Sequence, residues 1–139
     1  MKKVIIVDID GTIALRGDRA PHDHDSSMED AVNWPIVKIV DATVQQMGLP
    51  LILLSGRQEK YREVTEYWLG THTLFPYRHA LLMRCTGDER ADEIVKEEIY
   101  RSVVEPTFAV YAVFDDRDKV VAMWRRIGLT CLQVAEGNF

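Results

Sequence analysis

Val4-Ile5-Ile6-Val7 is an unbroken run of β-branched residues, followed at once by Asp8-Ile9-Asp10-Gly11-Thr12. A strand that is apolar at every position has no face to give to water. It belongs inside a sheet covered on both sides, and such sheets are built from parallel strands joined by helical crossovers. Further strands are expected at Leu51–Leu54, Ala80–Met83, Phe108–Phe114 and Cys131–Ala135. Helical spacing of apolar residues runs over 36–47 with Gly48 as a stop, 59–69 with Gly70, 92–104 with Pro106 beyond, and 119–127 with Gly128. The expected fold class is α/β, a three-layer sandwich around a five-stranded parallel sheet.

The 139 residues show no repeat, linker or compositional break, so one domain over 1–139 is expected. The 17 Lys+Arg against 22 Asp+Glu give a net charge of −5, which excludes a domain-wide basic footprint for nucleic acid. An enzyme that grips only the end of a polymer needs no more than a local positive cluster. No apolar run approaches the ~20 residues of a membrane span, and no signal peptide is visible. Cys85 and Cys131 lack metal-ligand spacing and read as buried thiols. The expected location is the cytoplasm, with no membrane partner.

Ligands of an open parallel sheet sit beyond the carboxyl ends of its strands. The residues found there are Asp8, Asp10, Gly11 and Thr12, then Ser55-Gly56-Arg57, then Arg84, then Asp115-Asp116-Arg117. If Asp8-Ile9-Asp10 is extended, both carboxylates face one cavity. Like charges that close call for a cation, and an all-oxygen set suits Mg²⁺, which bridges to a substrate phosphate. A carboxylate can attack phosphorus itself, which makes Asp8 the candidate nucleophile and Asp10 the candidate general acid/base. Gly11-Thr12 can turn backbone N–H groups toward a phosphoryl oxygen, Ser55 can add a hydroxyl, and Lys96 can neutralise phosphate charge.

These four stretches, Asp8–Thr12, Leu54–Arg57, Lys96 and Phe114–Arg117, resemble the motifs of the haloacid dehalogenase superfamily. The chain is more closely similar to the phosphatase domain of phage-type polynucleotide kinase/phosphatase. That likeness rests on Asp10-Gly11-Thr12 with Arg19 and Pro21-His22-Asp23, on Ser55-Gly56-Arg57, and on Gly87–Asp92 running into Val95–Ile99. It continues through Asp115-Asp116-Arg117, Val120–Gly128, Gln133-Val134-Ala135 and Gly137. The resemblance implies a Rossmann-like sheet of haloacid dehalogenase type with a minimal cap. It implies Mg²⁺-dependent removal of 3′-phosphate from DNA or RNA, extending to 2′,3′-cyclic ends, through an aspartyl-phosphate. Asp8, the backbone carbonyl of Asp10, and Asp115-Asp116 would hold the metal. Ser55 and Lys96 would hold the phosphate, and Thr12, Arg19, Arg57, Arg90 and Arg117 would bind substrate. A guanidinium fork grips phosphate bidentately, which suits that role. A separate kinase or ligase in end healing is the implied partner.

The chain lacks the Gly-x-x-x-x-Gly-Lys-Ser/Thr loop of the family's kinase domain, and its start at Met1 on the first strand favours a free-standing phosphatase. Only residues 14–34 are available for a cap or lid. A small lid leaves the site open to a polymer end. Two rival readings are a nucleotidase acting on free nucleoside monophosphates and an end-binding module with vestigial turnover. His22-Asp23-His24-Asp25 reads as a polar lid loop, Tyr61, Trp68 and Trp124 as core, and Arg125-Arg126 as solvated.

Overall fold

A computed structural model describes all 139 residues. Strands β1 (Lys2–Val7), β4 (Leu51–Gln58), β5 (Ala80–Arg84), β6 (Phe108–Asp115) and β7 (Cys131–Gln133) form one parallel sheet in the order β5-β4-β1-β6-β7. β1 is the central strand. Its side chains alternate between two cores: Ile5 and Val7 enter one, Val4 and Ile6 the other. Leu51 and Leu53 of β4 follow the first face, Ile52 and Leu54 the second. This is the burial on both faces that an all-apolar strand demands.

Helices α1 (Trp34–Met47) and α2 (Arg62–Thr71) cover the first face, α3 (Asp92–Ile99) and α4 (Asp118–Arg126) the second. In α1, Val37, Val40 and Val44 fall on one stripe and are buried. Gly48 ends it with φ 62°, and its N–H reaches the Val44 carbonyl.

Several boundaries differ from the sequence expectation. The helix expected over 59–69 starts with a tight 3₁₀ turn, Glu59–Tyr61, and continues past Gly70 to Thr71. The helix expected over 92–104 changes after Ile99 to a π turn, Tyr100–Val104, closed by Glu105 N–H on the Tyr100 carbonyl at 2.8 Å. That wider turn buries both Tyr100 and Val104 beside Trp124. β4 does not end at Ser55 but runs on to Gln58, with its register to β5 broken between Ser55 and Gln58. β7 stops at Gln133. Cys85 is exposed, since it lies just past β5; only Cys131 is buried.

Residues 14–34 fold over the carboxyl end of the sheet. β2 (Ala14–Leu15) and β3 (Ala31–Val32) pair as a short antiparallel ribbon around a 3₁₀ turn, His24–Glu29. Trp68 of α2 pins this segment by donating its indole N–H to the Asp30 carbonyl at 2.9 Å. Trp68 and Trp124 are both core residues, whereas Tyr61 is half-buried against the core.

Candidate active site

β1 ends at Val7, so Asp8-Ile9-Asp10 lies just past the strand, and its two carboxylates bond to different partners. The chain turns at Gly11, whose φ of 81° favours glycine. A Cβ there would also lie 2.0 Å from an Asp116 carboxylate oxygen. Asp8 and Asp10 consequently go to different partners.

The Asp8 carboxylate is buried. Lys96 Nζ donates to its Oδ1 at 2.8 Å and Thr12 Oγ1 to its Oδ2 at 2.9 Å. Lys96 also reaches Asp115 Oδ2 at 3.0 Å. Asp8, Asp115 and Asp116 each present a carboxylate oxygen within 4.8 Å of the others, all buried. Three carboxylates face one ammonium. Burial first, and then the charge of Asp115, push the Asp8 carboxyl well above the usual carboxylate range; Lys96 offsets part of this. Burial likewise raises Asp116. Burial opposes the charge of Lys96, but Asp115, Asp8 and Asp92 outweigh it and keep the ammonium protonated. A buried, oxygen-only cluster short of positive charge fits a hard divalent cation such as Mg²⁺. Asp10 adds no carboxylate to it.

The Asp10 carboxylate is gripped from the other side. Arg57 donates Nε to Oδ2 at 2.8 Å and Nη2 to Oδ1 at 2.7 Å, a bidentate fork. Arg19 Nη2 adds a bond to Oδ1 at 3.1 Å. Burial would raise Asp10, but the Arg57 hydrogen bonds and charge outweigh it, and the group is lowered. Arg57 is buried and its remaining nitrogen, Nη1, donates to Ser27 Oγ and Thr65 Oγ1. Arg19 is tied by Nε and Nη2 to the buried Asp30.

The four arginines expected to bind substrate thus divide. Arg19 and Arg57 hold Asp10. Arg90 is exposed and paired with Asp88 and Glu98. Arg117 donates to the Phe139 carbonyl at 2.8 Å, with its guanidinium 5.0 Å from that ring's centroid. Ser55 is fully buried, and its hydroxyl accepts from the Arg57 N–H at 3.1 Å.

Several residues of the site lay outside the sequence expectation. Asp92 sits 3.7 Å from Lys96 Nζ and accepts from Arg84 at 3.2 Å. Its signal was the i, i+4 spacing to Lys96 in the first turn of α3. Gly56 makes room for it, since a Cβ there would meet Asp92 Oδ1 at 2.0 Å. Asp30, Ser27 and Thr65 surround the arginines, and nothing local in the sequence marks them. Behind Asp116 the last residues form a strap. Val134 N–H donates to the Asp115 carbonyl, Gln133 Nε2 to the Asp116 carbonyl, and Asp118 N–H to the Gly137 carbonyl.

A doubly covered parallel sheet, with this carboxylate–lysine cluster at the end of its central strand, defines a phosphatase of the haloacid dehalogenase type. Its general shape recurs in a class C acid phosphatase from Bacillus anthracis, with a TM-score of 0.64 at 16% identity over 86% of this chain and 53% of that one. The family model of the polynucleotide kinase PNKP phosphatase domain matches residues 2–139, and the chain belongs to that family. A chain in a Pnkp1/Rnl/Hen1 RNA repair complex is 38% identical with a TM-score of 0.93, over 99% of this chain and 44% of that one. A chain of another Pnkp1/Rnl/Hen1 complex structure matches at 38% identity and a TM-score of 0.94, over 100% and 48%. A protein of Autographa californica nuclear polyhedrosis virus, whose name describes a bifunctional polynucleotide kinase/RNA ligase, is 27% identical over 88% of this chain and 18% of its own length. The chain therefore spans less than half of each of these polynucleotide-kinase relatives. No helix is long and apolar enough to cross a membrane.

Proposed function

We propose that the chain removes the 3′-phosphate from DNA or RNA ends through an aspartyl-phosphate on Asp8. The observation that carries this reading is the buried cluster of Asp8, Asp115 and Asp116 at Lys96, with Asp10 held beside it by two arginines. Asp8 lies in the buried cluster with Lys96, while Asp10 stands in an arginine fork with its side chain about a third exposed (36%). Asp8 attacks phosphorus and the bond to O3′ breaks as Asp10, entering the step in its protonated form, gives that oxygen its proton. Asp10 then takes a proton from water as the water oxygen attacks the phosphoryl group, which releases inorganic phosphate and frees Asp8.

Lys96, Thr12 and Ser55 surround the phosphoryl position and offset its charge. Asp8, Asp115 and Asp116, with the Asp10 carbonyl, would hold Mg²⁺, which supplies charge neutralisation at the phosphoryl oxygens. Arg19 and Arg57 keep Asp10 in place. Opening of 2′,3′-cyclic ends would use the same groups. The similarity to a chain of the Pnkp1/Rnl/Hen1 RNA repair complex and to a viral protein described as a bifunctional polynucleotide kinase/RNA ligase supports a setting in which a kinase and a ligase treat the same ends, and the single-domain reading of 1–139 with 14–34 as lid belongs to this proposal.

The test is phosphate release, with Mg²⁺ and with chelator, from an oligonucleotide 3′-phosphate and from a free nucleoside monophosphate. Faster release from the oligonucleotide, lost with chelator, is the expected result. Equal or faster release from the free nucleotide would make the protein a nucleotidase. Asp8→Asn is expected to abolish turnover while leaving oligonucleotide binding intact. Turnover near wild type in that variant would refute the nucleophile assignment.

A further inference from the structure

The outer side of Asp10 is walled by two segments that meet edge to face. Beyond Arg57 the chain turns at Glu59–Tyr61; on the other side, after Arg19, comes the 3₁₀ turn His24–Glu29. The His24 and Tyr61 rings lie 5.3 Å apart between centroids, at an interplanar angle of 64°. The Lys60 ammonium stands 5.2 Å from the Tyr61 centroid. The backbone carbonyls of both residues are linked, each through one hydroxyl, to the guanidinium that holds Asp10. Ser27 Oγ donates to the His24 carbonyl at 2.6 Å and accepts from Arg57 Nη1 at 3.2 Å. Thr65 Oγ1 donates to the Tyr61 carbonyl at 2.8 Å and accepts from the same nitrogen at 3.0 Å.

His24 has no structural duty that explains it. Its Nδ1 is buried without a hydrogen-bond partner. A buried N–H without an acceptor is costly, so the proton sits on Nε2 and the ring is neutral. Burial keeps it neutral by pushing its pKa down to about 4, although Asp10 pulls the other way. The imidazole and the phenol, both partly exposed, meet edge to face, with the exposed Lys60 ammonium over the Tyr61 ring.

Position decides what such a surface meets. If the phosphoryl group sits at Asp8 and Asp10 protonates the leaving oxygen, the group attached to that oxygen lies on the outer side of Asp10. We propose that the His24–Tyr61 pair is a subsite for the terminal nucleoside, whose base stacks on it, with Lys60 meeting the next phosphodiester. The inference rests on the 3′-phosphatase reading above. Every base has a π-face, so the subsite recognises a nucleoside without selecting among bases.

The test compares two oligonucleotides of one length, each with a 3′-phosphate, one ending in an ordinary nucleotide and the other in an abasic one. Glycerol 2-phosphate serves as a small ester without a base. Wild type is expected to favour the ordinary end over the abasic end by roughly 10-fold in kcat/KM, within the range of base–aromatic stacking. His24→Ala and Tyr61→Ala are expected to bring that ratio close to one, while Tyr61→Phe keeps it. Tyr61→Leu preserves apolar packing against the core, so loss of the ratio there separates stacking from folding. Anisotropy of the labelled 3′-hydroxyl product should show weaker binding in the same variants. A wild-type ratio near one, or variants that slow both ends alike, would overturn the subsite and leave the phosphatase reading standing. Hydrolysis of glycerol 2-phosphate with neither oligonucleotide cleaved would overturn both.

Discussion

Asp10 and Arg57 show how much of the site is a matter of single contacts. In the proposed mechanism the fork orients Asp10 as proton donor, so Arg57→Lys is expected to lower kcat by about 10–100-fold with little change in KM, the scale of a misplaced catalytic group. The loss should shrink for p-nitrophenyl phosphate, whose leaving group needs no proton. Steady-state kinetics on both esters checks this. Gly56→Ala should cost as much without removing any polar group, because its Cβ would strike the Asp92 carboxylate. His24 gives a pH signature. Its folded value of about 4 lies below the ordinary 6.5, so the unfolded chain binds more protons between these limits. Stability from this group is therefore lost as pH falls from about 6.5 to about 4. His24→Leu should be stabilised relative to wild type more at pH ~4.5 than at pH ~7 when both are unfolded in urea. Asp8, Lys96, Asp115 and Asp116 were legible in the sequence because strand ends and a helix face announce them. Asp30, Ser27 and Thr65 were not, since their partner Arg57 lies across the fold. The same blindness hid the pairing of Arg57 and Arg19 with Asp10: a sequence shows a guanidinium but not the carboxylate beside it.

The elements were readable where local chemistry sets them. α1 carries its apolar stripe and its Gly48 stop, and Gly48→Ala is expected to cost about 1 kcal/mol through the left-handed conformation it must hold. Denaturant midpoints would register this. The breaks inside elements were hidden. The switch to a π turn after Ile99 answers to Trp124, which is fully buried and meets Tyr100 edge-on at 5.8 Å. Trp124→Ala should cost about 3–5 kcal/mol, more than any surface change in α4. The irregular stretch of β4 after Ser55 is of the same kind. It turns Arg57 toward Asp10 and leaves Gln58 in register with Arg84, a tertiary demand with no periodicity to betray it.

At the scale of the whole molecule, the site and the stability of the fold pull against each other. Three buried carboxylates share one lysine, so the metal-free protein carries repulsion at its centre. Asp116→Asn is expected to stabilise the metal-free protein by about 1–2 kcal/mol, and the rise in melting temperature expected on adding Mg²⁺ to wild type should be absent from this variant. Thermal melts across a Mg²⁺ series test both halves. The sheet order has its own consequence, for the order of events during synthesis. β1 pairs with residues 51–53 on one side and 108–114 on the other. On the ribosome the first apolar strand emerges long before its second neighbour exists. At roughly 5–20 residues per second, the interval between residues 53 and 114 lasts several seconds. Throughout it, Val4–Val7 exposes an open hydrogen-bonding edge and must be shielded by the nascent α1–β4 unit or by a chaperone.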